Sequence, residues 1–380
     1  AELDDMLAQS NPLSKQIGGL KEEGRKEEAE GIKAQTAELK QQIPGLKDQM
    51  NTLENSIQAA LCHIPNTPCS LVAAGRTAED NEVVSEGGPT QDLPMGAMPH
   101  WDITEKYNLI DFDLGAKVTG AGFPFYRGKG AKLQRALIQF FLDRADAAGY
   151  EEFIPPHVIN PESGFGTGQL PDKEGQMYHI TADDLYLIPT AEVPLTNIYR
   201  DVLLQESDLP RKLCGYTPCF RREAGSYGKD VRGLNRLHQF DKVEIVQISH
   251  PDQSYDTLDA MVEHVRSLLE ALELPYRVLR LCGGDMGFTS ALTYDFEVWS
   301  AAQERWLEVS SVSNFETYQA NRLKCRYKGK DGKTHLVHTL NGSALALPRI
   351  VAALLENHQT EDGILIPAAL HPYCGFTKID

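Results

Sequence analysis

The first 64 residues carry the spacing of apolar positions that is typical of a coiled coil. From Ile32 onward, apolar side chains occupy positions 32, 39, 43, 46, 50, 53 and 57, and Thr36 fills the one polar place. This alternation of three- and four-residue steps marks the seam between two packed helices. A shorter partner helix is outlined by Leu3, Leu7, Ile17 and Leu20, with Gly18, Gly19 and Gly24 near the turn. Residues 1–64 are therefore predicted to form an antiparallel helical hairpin.

Two features of this hairpin depart from a regular coiled coil. Pro12 and Pro44 each remove a helical hydrogen bond, so we expect both helices to kink or break there. The first helix also has about 20 residues against about 38 for the second, and the chain starts at Ala1 without a methionine. We therefore expect that part of the N-terminal region is missing.

A change of composition separates the hairpin from the rest of the chain. Residues 65–99 contain five prolines and many small polar residues, which predicts a linker. Residues 100–380 then alternate segments of strand and helix pattern and are predicted to form one large domain. Within it, residues 130–148 show the pattern of an amphipathic helix, followed by a short strand and Pro155-Pro156.

The most unusual pattern lies in residues 219–244, where charged residues occupy positions that are apolar in an ordinary buried strand. The segment predicts two strands joined by a long glycine-rich loop. Arg221 and Glu223 share one face of the first strand, and Phe240 and Glu244 share one face of the second. Paired antiparallel, they present guanidinium, carboxylate and aromatic ring on one surface, which suits a planar ligand bearing phosphate. The alternative is a surface hairpin held by salt bridges.

Two other segments place polar residues within apolar surroundings. Residues 185–192 indicate a buried strand that ends in Thr190 and Glu192, two residues apart and hence on one face. Residues 294–313 indicate a hairpin with its loop around Gln303. Glu308 and Ser311 fall on opposite faces of an ideal strand, so a bulge or a strand end is needed if both contact one ligand.

The C-terminal part predicts a strand at 335–340, a tight turn at 341–343 and then a helix with Pro348 in its first turn. The helix is apolar almost all round, hence buried, and Arg349 is the exception. A buried arginine needs an anionic partner. That partner is either an internal glutamate or a bound anion.

The composition narrows the classes of function. Hydrophobic content of 41% and charged content of 24% are typical of a soluble globular protein, and no apolar run approaches the roughly 18 residues of a membrane span. The seven cysteines contain no C-x-x-C pair, which predicts reduced thiols in a cytoplasmic protein and no zinc site. The net charge of −17 argues against indiscriminate nucleic-acid binding. No G-x-x-x-x-G-K-[ST] loop is present, so a nucleotide would have to be bound by side chains and a sheet.

Four segments together resemble the class II aminoacyl-tRNA synthetases and, among them, the seryl-tRNA synthetase family of bacterial type. They are FRREAG at 220–225 with HQFDKVE at 238–244, PTAEVPLTN at 189–197, LEVSSVSNF at 307–315 and TLNGSALALPRIVAALLEN at 339–357. The first resembles motif 2 and the last resembles motif 3 of this class. The resemblance implies an α+β fold, with a mainly antiparallel sheet flanked by helices and an N-terminal helical hairpin.

The resemblance also implies a reaction and its partners. The expected reaction is ATP-dependent activation of L-serine to seryl-adenylate, then transfer of serine to the 3′ end of tRNA(Ser), and of tRNA(Sec) where that is present. Residues 130–148 resemble motif 1, which implies a homodimer, although Gly122 precedes Phe123 where the family often has arginine. The alternative is a synthetase-like paralogue that delivers activated serine to an acceptor other than tRNA.

Roles for single residues follow from the resemblance alone. It implies catalytic roles for Arg221, Glu308 and Arg349. It implies ATP contacts from Arg221, Glu223, Arg236, Phe240, Glu308, Ser311 and Arg349, with Glu308 and Ser311 also binding Mg²⁺. It implies serine contacts from Thr190, Glu192, Arg221, Glu244, Asn341 and Ser343.

A lysine series on the second helix is the candidate tRNA contact. Lys26, Lys33, Lys40 and Lys47 recur every seven residues and fall on one flank of the seam. Such a series suits a phosphate backbone, and in the family this arm contacts tRNA. The alternative is ordinary pairing with acids of the partner helix. Because residues 1–66 carry seven basic and eleven acidic side chains, both interpretations stay open.

Overall fold

The computed structural model describes residues 2–90, 93–223 and 232–380. The chain divides into two compact units, Ala1–Pro65 and Asn66–Asp380. In the described residues the helices are α1 (Glu2–Glu22), α2 (Lys26–Leu61), α3 (His100–Lys106), α4 (Phe112–Val118), α5 (Gly128–Ala147), α6 (Pro161–Thr167), α7 (Glu192–Asn197), α8 (Ser254–Ala271), α9 (Thr317–Leu323), α10 (Leu347–Asn357) and α11 (His371–Cys374). None of these described helices has the length and apolar character needed to cross a membrane.

The strands follow the same chain order. In the described residues they are β1 (Glu82–Gly87), β2 (Ile110–Asp111), β3 (Phe125–Tyr126), β4 (Glu151–Glu152), β5 (Val158–Ile159), β6 (His179–Ile180), β7 (Leu185–Leu187), β8 (Leu203–Gln205), β9 (Arg211–Phe220), β10 (Gln239–Ser249), β11 (Tyr276–Arg280), β12 (Leu292–Ser300), β13 (Arg305–Asn314), β14 (Arg326–Lys328), β15 (Thr334–Leu336), β16 (His338–Ala346), β17 (Gln359–Thr360), β18 (Gly363–Leu365) and β19 (Lys378–Ile379).

The first unit is the predicted helical hairpin, with α1 packed along α2. Ala29, Thr36 and Ile43, each seven residues apart, are buried in the seam. The hydroxyl of Thr36 donates to a backbone carbonyl of its own helix at 2.8 Å, so the one polar seam residue is satisfied. Further along α2, Leu53 and Ile57 are 63% and 59% exposed. The seam is therefore packed over the part of α2 that the shorter helix α1 covers.

Of the kink or break predicted at Pro12 and Pro44, the break is wrong. Pro12 lies inside α1 and Pro44 inside α2, and both helices continue through them. Each proline is exposed on the helix surface. Since a proline removes one hydrogen bond, water can satisfy the freed carbonyl at such a site.

The second unit is built on an eight-stranded sheet, counted over the described residues. The strand order is β1-β11-β12-β13-β16-β10-β9-β4. All neighbours pair antiparallel except the short β4, which runs parallel to β9. This confirms the predicted α+β class with a mainly antiparallel sheet. The segment expected to be a linker contributes β1, which pairs with β11 at the sheet edge.

Helices α5, α8 and α10 pack on one face of this sheet and form the main core with it. The alternation along β10 shows how the two faces differ. Val243 and Ile245 point into the core, whereas Lys242 and Glu244 point to the opposite face. On that opposite face, α7 and α9 cover part of the sheet with a second apolar cluster. The remaining part of the face stays open.

Three predicted boundaries near the open face are wrong. The first predicted charged strand ends at Phe220, so Arg221 and Glu223 follow β9 and are not part of it. The backbone turns away because Arg222 N–H donates to Gln176 O and Glu223 adopts φ +48°. Residues 341–343, predicted as a tight turn, are the middle of β16.

The predicted strand at 185–192 is also too long. It ends at Leu187, and Glu192 begins α7. The backbone N–H of Glu192 donates to the hydroxyl of Thr190 at 3.2 Å. Thr190 and Glu192 are therefore close because the chain enters a helix, and not because they alternate along a strand.

Candidate active site

The open face of the sheet forms the floor of a cavity of about 540 Å³. This volume is in the ordinary range for a small-molecule site. The residues that sequence analysis named for ATP, serine and Mg²⁺ all line it except one: Thr190, Glu192, Arg221, Glu223, Arg236, Phe240, Glu308, Ser311, Asn341, Ser343 and Arg349. The exception, Glu244, lies directly beneath the cavity and is 0% exposed. The four lysines named for tRNA belong to α2 and are exposed there.

Glu244 is the centre of the polar network at one end of the cavity. Its Oε2 accepts a hydrogen bond from Thr190 Oγ1 at 3.0 Å, and its Oε1 accepts one from Asn341 Nδ2 at 3.0 Å. Lys242 Nζ lies 2.5 Å from Oε2, and both of these side chains are almost fully buried. The lysine compensates the buried carboxylate, which would otherwise be very costly.

Glu192 is the second buried carboxylate at this end. Gln319 Nε2 donates to its Oε1 at 2.7 Å. Burial, and then the nearby Glu244 carboxylate, raise the pKa of Glu192 to about 7, against the opposing effects of Gln319, Lys242 and Arg221. Two carboxylates therefore face one lysine here, which leaves an excess of negative charge when both are ionised. A ligand cation would neutralise that excess.

Arg221 and Phe240 form the middle of the site. The guanidinium carbon of Arg221 lies 5.2 Å from the centroid of the Phe240 ring, a cation–π contact. Arg221 Nε donates to Pro189 O at 3.3 Å, which fixes the side chain between β10 and the Thr190 segment. The guanidinium thus faces the cavity next to an aromatic ring, as a phosphate-bearing planar ligand requires.

The other end of the cavity holds two further arginines, each beside a glutamate. Arg236 Nη1 lies 3.1 Å from Glu223 Oε2. Arg349 Nη1 donates to the backbone oxygen of Glu308 at 2.6 Å and lies 3.9 Å from its carboxylate. Burial lowers the pKa of Arg349, and the Glu308 carboxylate opposes this. The predicted internal glutamate partner of Arg349 is therefore present, and two arginines converge on one region.

A bulge in β13 brings Glu308 and Ser311 together. The β12–β13 register shifts between Phe296 and Glu297, so that Ser310 and Glu308 oppose consecutive residues of β12. As a result Ser311 Oγ donates to Glu308 Oε1 at 3.3 Å. The expectation that a bulge must intervene between these two residues is confirmed.

Asp295 on β12 faces the same bulge, opposite Ser311. Within the described residues its Oδ1 is buried without a hydrogen-bond partner. Burial, and then the Glu308 carboxylate, raise the pKa of Asp295. Carboxylate and hydroxyl oxygens form the donor set that Mg²⁺ prefers. The residues at this bulge therefore fit a magnesium ion.

Sequence analysis missed several residues that complete the site. Gln319 lies just beyond the segment at 307–315 and Asp295 lies in the predicted hairpin at 294–313, but neither belongs to a segment that carries the family resemblance. Lys242 gave a usable signal, since a lysine in an otherwise buried strand must have an acidic partner. Asn235, whose backbone carbonyl oxygen accepts a hydrogen bond from Arg349 Nε at 3.0 Å, lies between the two predicted strands of residues 219–244, where the sequence gives no periodic signal.

Gly122, where the chain departs from the family pattern, has a structural explanation. It adopts φ +84°, and a Cβ there would lie 2.5 Å from the His238 ring. Its carbonyl oxygen accepts from His238 N–H at 2.9 Å, and Phe123 stacks on the same ring. Glycine at 122 lets this segment pack against the residue that precedes Gln239 and Phe240.

Comparisons with known proteins agree with this geometry. Residues 178–358 match the sequence profile of the tRNA synthetase class II core domain (G, H, P, S and T), and residues 1–68 match that of the seryl-tRNA synthetase N-terminal domain. A serine--tRNA ligase of Salinibacter ruber is 57% identical over 380 residues, which is 100% of this chain and 89% of the relative. The serine--tRNA ligase of Neisseria meningitidis serogroup B is 48% identical, covering 98% of this chain and 88% of the relative.

A solved structure shows the same similarity in three dimensions. The crystal structure of seryl-tRNA synthetase from Pyrococcus horikoshii complexed with ATP superposes with a TM-score of 0.91 at 34% identity. The superposition covers 100% of this chain and 89% of the Pyrococcus horikoshii chain.

Proposed function

The chain belongs to the seryl-tRNA synthetase family, and on that premise we propose how its residues divide the work of the reaction. The activity is ATP-dependent activation of serine and charging of tRNA. The observation that carries the assignment of residues is the cavity itself. Buried glutamates occupy one end, arginines occupy the other, and Arg221 with Phe240 lies between them.

Serine binds at the end that holds Glu192 and Glu244. The ammonium group of serine pairs with Glu192, because two carboxylates face only one lysine there. The side-chain hydroxyl contacts Glu244 and Ser343, which face each other in the β10–β16 pairing. Thr190 and Asn341 hold the Glu244 carboxylate in place by donating to its two oxygens. The serine carboxylate then points toward Arg221.

ATP occupies the other part of the cavity. Its adenine ring stacks on Phe240, and Glu223 accepts from the polar hydrogens of the base. Arg221 contacts the α-phosphate, while Arg236 and Arg349 contact the outer phosphates. Both of these arginines have glutamate neighbours in the described structure, so phosphate replaces or joins an anionic partner that is already there.

Magnesium fits at the bulge of β13, held by Glu308 and Ser311. When bound, the ion neutralises charge on the phosphates. One or two protein oxygens, with phosphate oxygens completing the shell, is the usual arrangement for this metal.

The reaction needs little covalent chemistry from the protein. A serine carboxylate oxygen attacks the α-phosphorus, the bond to the β-phosphate oxygen breaks, and pyrophosphate leaves. A hydroxyl of the terminal adenosine of tRNA then attacks the seryl carbonyl carbon, and AMP leaves. Arg221 stabilises the charge that develops on the α-phosphoryl oxygens, and the cavity aligns the reacting groups.

The remaining assignments concern partners and organisation. Residues 1–64 form the tRNA-binding arm, residues 65–99 connect it and also supply the edge strand β1, and residues 100–380 form the rest of the catalytic domain. The acceptor is tRNA(Ser), with tRNA(Sec) where that is present. The helix α5 segment takes part in a homodimer, and the protein works in the cytoplasm. The motif resemblances and the reduced-thiol composition support these proposals.

Serine-dependent exchange between pyrophosphate and ATP tests the proposed site. The full chain is mixed with ATP, magnesium, labelled pyrophosphate and one amino acid. We expect label in ATP with serine and only background with alanine, threonine or glycine. Exchange that does not depend on serine would contradict the proposal that serine binds at the end of the cavity that holds Glu192 and Glu244.

A further inference from the structure

A buried hydrogen-bonded network lies behind the cavity, and no role proposed above uses it. The side chains of Glu356 in α10 and His100 at the start of α3 are both 0% exposed. His100 Nδ1 lies 2.7 Å from Glu356 Oε1, and the His100 backbone N–H donates to the same oxygen. Oε2 accepts from Ser300 Oγ and from Ala302 N–H. Burial alone would raise the pKa of Glu356, but these hydrogen bonds lower it below the ordinary value.

The hydrogen-bond directions determine which ring nitrogen of His100 carries the proton. Leu234 N–H donates to Nε2 at 2.9 Å, so Nε2 is an unprotonated acceptor. Nδ1 therefore carries the proton and donates to Glu356. The ring also lies against Gly233, where a Cβ would be 2.2 Å from Nε2. His100 thus holds the backbone at 233–234 by a bond and by close packing.

A second series of hydrogen bonds leads from Ser300 to Asn235, the residue after Leu234. Gln303 Nε2 donates to Ser300 Oγ at 3.0 Å, and Gln303 exchanges side-chain hydrogen bonds of 3.0 and 3.2 Å with Asn235. The carbonyl oxygen of Asn235 accepts from Arg349 Nε. Both arms start at Glu356 and end on consecutive residues, 234 and 235.

We propose that His100 and Glu356 are positioning residues for ATP, acting through residues 233–236. Arg236 lies two residues beyond Leu234, so a shift of the backbone at Leu234 moves its guanidinium relative to Arg349. Glu356 and Arg349 belong to the same helix, α10. Because the network from Glu356 also positions Arg236, this helix fixes both arginines that contact the outer phosphates. This inference rests on the proposed function, in which Arg236 and Arg349 contact the outer phosphates.

Two substitutions of His100 separate its two hydrogen bonds. In His100→Asn, the amide nitrogen replaces Nδ1 and keeps the bond to Glu356, but Leu234 N–H loses its acceptor. In His100→Gln, the amide oxygen reaches the place of Nε2 and keeps that acceptor. Serine-dependent pyrophosphate exchange by the full chain gives KM for ATP and for serine with each variant.

We expect His100→Asn to raise KM for ATP about tenfold, since a buried donor without a partner costs binding of this order. KM for serine should stay within about twofold of the wild-type value, because the serine end of the cavity, at Glu192 and Glu244, is not connected to this network in the described structure. His100→Gln should recover KM for ATP to within about threefold. Tyr150→Phe is the matched control, since it removes a buried hydrogen bond from Gln247 elsewhere in the same unit. It should leave both KM values unchanged.

Gln303→Ala provides a second test if His100→Asn does not fold. Gln303 is a half-buried turn residue between β12 and β13, so its truncation should be tolerated. It removes the Asn235 arm, together with the hydrogen bond from Arg305 Nε, and should raise KM for ATP about threefold.

The outcomes separate this inference from the proposed function. The positioning role is overturned if His100→Asn leaves KM for ATP unchanged, or, where that variant is insoluble, if Gln303→Ala does. Serine-dependent exchange by the wild type then still upholds the proposed function. Equal rises in both KM values, or no recovery in His100→Gln, also overturn it. Wild-type protein without serine-dependent exchange overturns the proposed function, and the positioning role with it.

Discussion

Arg221 is the residue whose side chain lies between the serine end and the phosphate end of the cavity. It is held by Pro189 O and by the Phe240 ring, and among the described residues no carboxylate forms an ion pair with it. We predict that Arg221→Ala lowers serine-dependent pyrophosphate exchange by about 10²–10³, as loss of a transition-state charge contact does, and leaves the fold intact. Arg222→Ala is the matched control. Arg222 is the next residue, and its side chain is exposed and does not line the cavity. Near-normal exchange by a soluble Arg221→Ala protein would show that motif 2 is wrongly assigned.

Glu192 should make serine binding depend on pH. Its pKa is raised to about 7, first by burial and then by Glu244, so the carboxyl is mostly neutral at pH 6 and mostly ionised at pH 8. Only the ionised form pairs with the serine ammonium, which stays protonated over this range. We predict that KM for serine rises as the pH falls below 7, approaching about tenfold per pH unit.

Glu192→Gln is the control for this pH effect. It should raise KM for serine at pH 8 and make it independent of pH between 6 and 8. The same pH slope in Glu192→Gln as in the wild type would assign the titration to another group.

Glu244 should make the enzyme reject alanine far more strongly than size alone explains. It is fully buried and already accepts from Thr190, Lys242 and Asn341, so it is held rigidly for the substrate hydroxyl. A site built for a hydroxyl rejects its deoxy analogue by about 10⁴–10⁵, against about 10–200-fold for one methylene. The measurement is kcat/KM in exchange with each amino acid. A ratio of serine to alanine below ten would mean that Glu244 and Ser343 have another role.

At the scale of elements, the apolar pattern predicted the helices and long strands because their signals are repeated over many residues. The seam of α2, the helix α5 and the hairpin β12–β13 all follow from local periodicity. The short connections did not follow from it. The chain leaves the sheet after Arg221 because Arg222 N–H donates to Gln176 O, and Thr190 approaches Glu192 because a helix starts there. The contact of Arg222 with Gln176 joins residues far apart in the sequence, which no local pattern contains.

Packing within the hairpin does not determine the role of the lysine series of α2. Lys26, Lys33, Lys40 and Lys47 are exposed, and Lys33 pairs with Glu30 of its own helix at 3.2 Å. At 1.5 Å rise per residue they are spaced by about 10 Å. We predict that replacing all four with glutamine flattens the dependence of log tRNA affinity on log salt by about 0.9 per lysine that contacts phosphate. Pyrophosphate exchange should be unchanged.

The control for the lysine series is replacement of the same four residues by arginine. Arginine keeps the charge, so the salt dependence should be retained. Identical slopes for the glutamine variant and the wild type would mean that the series is only the solvated flank of α2, with tRNA contacts elsewhere.

At the scale of the whole molecule, the segments that carry the family resemblance converge on one cavity. The family segments lie far apart in the chain, at 189–197, 220–244, 307–315 and 339–357, yet their polar residues surround one cavity. Their order in the sequence was enough to infer the family. Their convergence required the antiparallel order β13-β16-β10-β9, which no single segment reveals.

Charging of tRNA is the measurement that tests the central claim most directly. The full chain is incubated with ATP, magnesium, labelled serine and tRNA, and label in acid-precipitable tRNA is followed with and without ATP. Labelled alanine and threonine serve as controls. We predict ATP-dependent attachment of serine to tRNA(Ser) and background with either control. Serine-dependent pyrophosphate exchange without any transfer to tRNA would contradict the claim and point to an acceptor other than tRNA.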